Sequence, residues 1–86
     1  LLLACDPALQ LEGDAASGAA LYDAACTPCH GPDGEGTSRG PDVRGLEARL
    51  APSLTVQVIR DGRGDMPGFA YTDQQLADLL AHLNTL

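Results

Sequence analysis

Three side chains within five residues carry the most specific chemistry in the sequence: Cys26 and Cys29 are separated by two residues, and His30 follows at once. C-x-x-C followed directly by His reads as a covalent haem attachment site. Each thiol adds across one haem vinyl group to make a thioether, and the histidine offers a ring nitrogen to the iron. Two other chemistries use the same residues. A redox dithiol normally sits in a βαβ pattern, and no convincing strand is legible. A zinc site needs four ligands, with His82 as the one remaining imidazole.

Met66 is the only methionine, in Gly64-Asp65-Met66-Pro67-Gly68-Phe69. Its thioether is a soft ligand for haem iron, and a His/Met pair raises the reduction potential. A lone Met also serves as core filler, but a Gly/Pro-rich loop is a poor place for one. His82 is a rival imidazole ligand; packing beside Gly18 or Tyr22 is its other role.

Positioning these groups falls to helices and loops. The Ala-rich stretch 14–28 predicts a first helix, capped by Asp14 or Ser17, with Leu21 and Ala25 on one face. Cys26 ends it and Pro28 stops it, presenting Cys29 and His30 on a turn. Glycines and prolines from Gly31 to Gly45 mark a long loop. Such a loop in a small domain belongs to a site, and Glu47 to Leu50 can form a helical turn. A middle helix is expected over 53–61, with Ser53 as its cap and Gly62 at its end. Its β-branched residues leave a strand as the local alternative. Thr72-Asp73-Gln74-Gln75 is a capping box, opening a helix with the apolar stripe Leu76, Leu79, Leu80, Leu83.

These motifs, in this order, resemble a small class I cytochrome c of the bacterial type, from about Asp14 to Leu86. Ala19-Ala20-Leu21-Tyr22 ahead of Cys26 resembles the family's first helix. Gly40-Pro41-Asp42-Val43-Arg44-Gly45-Leu46 resembles the loop after the haem-binding histidine. Met66-Pro67-Gly68-Phe69 resembles the distal Met loop, and residues 76–86 the closing helix. The resemblance implies an all-α fold, three to four helices and long loops wrapped around one covalent haem c. It implies thioethers at Cys26 and Cys29, iron ligands His30 and Met66, and pocket contacts from Val43, Leu46 and Phe69. Pro41 resembles the proline whose carbonyl accepts the Nδ1–H of that histidine. Gly18 would sit where the first and last helices cross, with Tyr22 beside it. Tyr71 and Phe69 would screen the distal pocket or fill the core, and Arg39 or Arg44 would meet a haem propionate or stay solvated.

Eighty-six residues with 3% aromatics allow one domain with a small core, which usually needs a staple such as a cofactor. Net charge is -7 and all five basic residues are arginines, which argues against nucleic acid as a partner. If charge steers docking, the partner's patch is basic or mixed; otherwise acidity serves solubility. Leu1-Leu2-Leu3-Ala4 before Cys5 resembles the end of a bacterial lipoprotein signal. Residues 1–13 then divide into signal remnant, lipobox and tether, and 14–86 form the cytochrome c domain. No apolar run approaches the ~20 residues of a transmembrane helix.

The expected function is electron transfer, Fe(II)/Fe(III) cycling with His/Met ligation, and not enzymatic turnover. The partners would be redox proteins or a membrane respiratory or photosynthetic complex, of which the chain could be a subunit. The expected place is the periplasm or the outer face of the cytoplasmic membrane, held by lipid on Cys5. The alternative is a haem-based sensor or peroxidase-like module with a labile distal Met.

Overall fold

The computed structural model describes residues 6–86. Cys5 and its expected lipidation lie outside them. Among the described residues the chain is helical, and its only β pairing is the isolated bridge between Arg63 and Met66.

Helix α1 is a single turn, Pro7–Gln10, with Pro7 opening it and the Asp6 carboxylate accepting from the Ala8 N–H at 3.0 Å. Proline suits this position because its missing N–H has no intrahelical partner there. Ala8 is buried, and Asp6 pairs with Arg60 at 3.2 Å, so residues 6–10 lie against the body of the domain.

Helix α2 spans Ala15–Ala25 and is capped by Asp14, whose side chain accepts from the Ala16 N–H. The buried residues are Gly18 and Tyr22, four apart, the pair that the resemblance places at the crossing, and Leu21 packs partly buried beside them. Gly18 decides this. A Cβ there would overlap the Asp78 carbonyl, so only glycine lets the two helices cross so closely, and the crossing rotates Tyr22 inward. Pro28 does not stop α2. Cys26 breaks it, and a new turn, α3 (Thr27–His30), starts with Pro28 in its first two positions.

After a long loop, Leu46–Ala48 form a 3₁₀ turn. Helix α4 spans Pro52–Asp61. Its cap is Ala51 rather than Ser53, because Pro52 takes the first helical position and pulls the start forward. Thr55, Val56 and Ile59 form its buried side, while Leu54 stays exposed.

Helix α5, Asp73–Leu83, has the full capping box: Gln75 N–H to Thr72 Oγ1 at 3.1 Å, and Thr72 N–H to Gln75 Oε1 at 2.8 Å. Leu76, Leu79 and Leu83 are buried, with Leu80 partly so. Asp78 is buried too, and its carboxylate accepts from the Asp14 N–H (2.8 Å) and the Gln74 amide (2.9 Å), which satisfies it. The α2/α5 pair and the core around Tyr22, Val56, Leu76 and Leu79 form the frame on which both loops hang.

Candidate functional site

A cavity of about 430 Å³ opens between the α2–α3 junction and α4. Its volume falls in the range of roughly 300–1,000 Å³ usual for ligand and cofactor sites. Cys26, Cys29 and His30 line it from one side, and Met66 lines it from the distal loop. Ile59, Val58, Leu79 and Leu83 supply apolar wall from α4 and α5.

The histidine wall is held by a hydrogen-bond network. His30 Nδ1 lies 2.8 Å from the Pro41 carbonyl oxygen. A carbonyl can only accept, so Nδ1 is the donor, which directs Nε2 away from this bond as the nitrogen that could face a metal. Gly40 makes this approach possible: a Cβ there would fall 3.1 Å from both Nδ1 and Cε1 of His30. The Thr37 hydroxyl donates to the Cys29 carbonyl at 2.6 Å, and the buried Tyr22 hydroxyl to the Gly31 carbonyl at 2.7 Å. Backbone bonds from Gly36 N to His30 O and from Val43 N to Gly34 O, 2.7 and 2.8 Å, fold the loop back on α3.

The Met66 loop is held more sparsely. Arg63 and Met66 exchange backbone bonds of 3.0 and 2.9 Å, and the Phe69 N–H donates to the Ile59 carbonyl at 2.8 Å. Gly62 turns the chain out of α4 at φ 81°, a conformation that only glycine adopts cheaply. A Cβ there would also lie 2.6 Å from the Met66 carbonyl oxygen.

Cys26 and Cys29 are free thiols, each half-buried. Burial pushes the Cys26 thiol up, with Cys29 adding to the shift, so Cys26 favours the neutral thiol. That is the reverse of the lowered pKa that activates a redox dithiol, and no βαβ unit is present among the described residues. The zinc alternative fails on geometry. Among the described residues no three His, Cys, Asp or Glu side chains converge as a metal cage, and the His82 ring packs on Tyr22 with centroids 5.1 Å apart.

Of the other expected pocket residues, Pro41, Val43 and Leu46 line the cavity and Phe69 does not. The Phe69 ring stacks on Tyr71, with centroids 5.3 Å apart and planes within 5°, and packs against the core. Arg39 lines the cavity, whereas Arg44 turns to Asp42 in a two-point contact of 3.1 and 2.8 Å. Leu50, Thr55, Arg63 and Asp65 also line it. The first two could have been found from helix spacing after the loop; Arg63 and Asp65 carried only their closeness to Met66.

A family model described as cytochrome c oxidase, cbb3-type, subunit III matches residues 13–83. A Synechocystis protein named cytochrome c-553-like is 39% identical over 79 residues, covering 91% of this chain and 74% of that one. Cytochrome c-551 of Bacillus subtilis is 33% identical over 72 residues, covering 84% and 63%. Cytochrome c-554(547) of Halothiobacillus neapolitanus is 50% identical over 44 residues, covering 51% and 48%. No solved structure matches.

Proposed function

The chain belongs to the cytochrome c family, and from that premise we propose that it carries single electrons between redox partners, its haem iron held between His30 and Met66. The family's cofactor is covalently bound haem c, and its members are electron carriers rather than enzymes. The residues around the cavity fit that group. Two free thiols, an imidazole whose Nδ1 donates to the Pro41 carbonyl, a thioether from the distal loop and aliphatic walls make up its surroundings. One observation carries the reading: a single cavity has the C-x-x-C-H residues on one side and the lone methionine on the distal loop.

In this role Cys26 and Cys29 hold the porphyrin through thioethers, and bound haem supplies a one-electron Fe(II)/Fe(III) couple. His30 donates through Nε2, kept in place and made more basic by the Pro41 carbonyl. Met66 would supply the second protein ligand, leaving no iron position for oxygen or other small ligands. Ile59, Leu79 and Leu83 keep water from the cavity, and Val43 and Leu46 cover its loop side. No proton transfer or bond rearrangement is required, so little reorganisation accompanies each electron.

The proposed setting is the outer face of the cytoplasmic membrane, with Cys5 carrying the lipid anchor and redox proteins or a membrane complex as partners. Among the described residues no helix is long and apolar enough to cross a membrane. The ligand assignment is tested by absorption spectra of the haem-loaded protein and of Met66→Ala. The oxidised wild type is expected to show a weak sulfur-to-iron band at the red end that the variant lacks. A wild-type spectrum with haem but without that band overturns the Met66 assignment.

A further inference from the structure

Arg60 stands in the last turn of α4, just before Gly62 turns the chain into the Met66 loop. Its guanidinium reaches Asp73, the first residue of α5, at 2.8 Å. Residues 61–72, the whole distal loop, lie between these two partners, so one ion pair joins the loop's ends. The same guanidinium meets Asp6 at 3.2 Å through Nη1 and at 3.3 Å through Nη2. Asp6 caps α1, so the second contact ties the N-terminal turn to the same point. Asp6 precedes residues 13–83, the stretch that the family model matches, and so braces that domain from outside it.

The backbone of Arg60 is also part of the loop's floor. A Cβ at Gly68 would lie 2.5 Å from the Arg60 carbonyl oxygen, and the Phe69 N–H donates to the Ile59 carbonyl at 2.8 Å. The limb that leaves Met66 therefore runs along the end of α4, and its course depends on how that end sits against α5. Side-chain exposure is 35% for Arg60, 18% for Asp6 and 46% for Asp73. One guanidinium shared by two carboxylates, one of them sheltered, holds better than an isolated surface pair. Arginine's planar fork engages both, which a lysine ammonium does without fixed geometry.

We propose that Arg60 is a positioning residue for the bond between Met66 and the iron: joined to Asp73 and braced by Asp6, it keeps the Met66 loop closed. Arg60 does not line the cavity, so it acts through the loop alone. The inference rests on the electron-carrier reading with Met66 as ligand. A loop that opens part of the time admits an outside ligand in proportion to the open fraction, and the Arg60 contacts lower that fraction.

The test is imidazole titration of the oxidised, haem-loaded protein, followed by the sulfur-to-iron band. The iron stays Fe(III); an imidazole nitrogen–iron bond forms as the Met66 sulfur–iron bond breaks. Arg60→Gln is expected to lower the half-saturating imidazole concentration about fivefold. Asp73→Asn and Asp6→Asn should each lower it less, and Arg60→Lys should recover part of the loss. Arg44→Gln breaks an ion pair of the same 2.8 Å length on the His30 side and should leave the titration unchanged. Salt at about 1 M, where the Debye length is about 3 Å, should move the wild type toward Arg60→Gln and leave that variant where it is. Hydrogen exchange separates a loop effect from a general loss of stability. In Arg60→Gln the Phe69 amide should exchange faster by the same factor, while the Gly36 amide, bonded to the His30 carbonyl at 2.7 Å, should not. Equal titrations of wild type and Arg60→Gln, a wild type indifferent to salt, or equal acceleration of both amides overturns the positioning role alone. An oxidised wild type without the sulfur-to-iron band overturns the Met66 reading and the positioning role with it.

Discussion

The two loops that face each other across the cavity are built differently. The His30 side is tied by hydroxyls, a ring nitrogen and folded-back backbone, including Tyr22 Oη to Gly31 O and His30 Nδ1 to Pro41 O. The Met66 side relies on three backbone bonds and the Gly62 turn. Such a difference places local opening on the Met66 side, because a segment with few anchoring bonds opens at lower free energy than one held by many. The His30 wall is therefore the fixed one, and the Met66 wall the one that opens first.

The largest expected effect is on the attached wall. His30→Ala removes the ring on which Gly40 and Pro41 converge and should abolish the native six-coordinate spectrum, leaving little or no correctly matured haem protein. Recovery of a wild-type reduced spectrum from this variant would contradict the division between the walls. Gly62→Ala is expected to act next in size and only on the other side. The residue must then hold a positive φ and meet the Met66 carbonyl, at a cost of about 1–3 kcal/mol. Denaturant titration should show the Met66-dependent band lost earlier, while global unfolding, read by helical circular dichroism, moves less. Coincident transitions would mean that the Met66 loop does not open on its own.

The smallest effect concerns pH and the attached wall. Arg44, through its side-chain and backbone hydrogen bonds, holds the Asp42 carboxyl at about 2 against an ordinary 3.8. A folded-state pKa below the unfolded one adds stability above the ordinary value, and that contribution is lost as pH falls toward about 2. Acid unfolding of wild type and Asp42→Asn should thus differ by a small amount above about pH 4 and converge near pH 2. Because the pair is exposed, salt should shrink the gap. A gap that widens as pH falls would contradict this account.

What could be read in advance follows a physical rule. Features written by adjacent residues were legible: the C-x-x-C-H triplet, the Thr72/Gln75 box, and the Leu76–Leu79–Leu83 stripe. Their geometry depends on spacing along one element. Features settled by competition or by distant contacts were not. Pro52 displaced Ser53 from the cap, and Pro28 opened a new turn instead of stopping the chain's helical course. The Phe69 ring found its partner in Tyr71 and the core instead of the cavity lining, a contact that adjacent residues do not write. Arg63 and Asp65 reached the rim through the tertiary course of the Met66 loop, which local composition does not encode. The Gly18 crossing and the Pro41 carbonyl, by contrast, were anticipated only through resemblance to a family.

The central claim is that His30 and Met66 bind one iron from two differently anchored walls. Proton NMR of the reduced, diamagnetic protein tests it most directly, because the chain holds a single methionine and its methyl signal needs no competing assignment. The methyl of a Met66 whose sulfur binds haem iron would lie in the ring current of the porphyrin. The account predicts one three-proton resonance shifted far upfield, absent in Met66→Ala. A haem-loaded wild type with its methionine methyl at an ordinary position would contradict it.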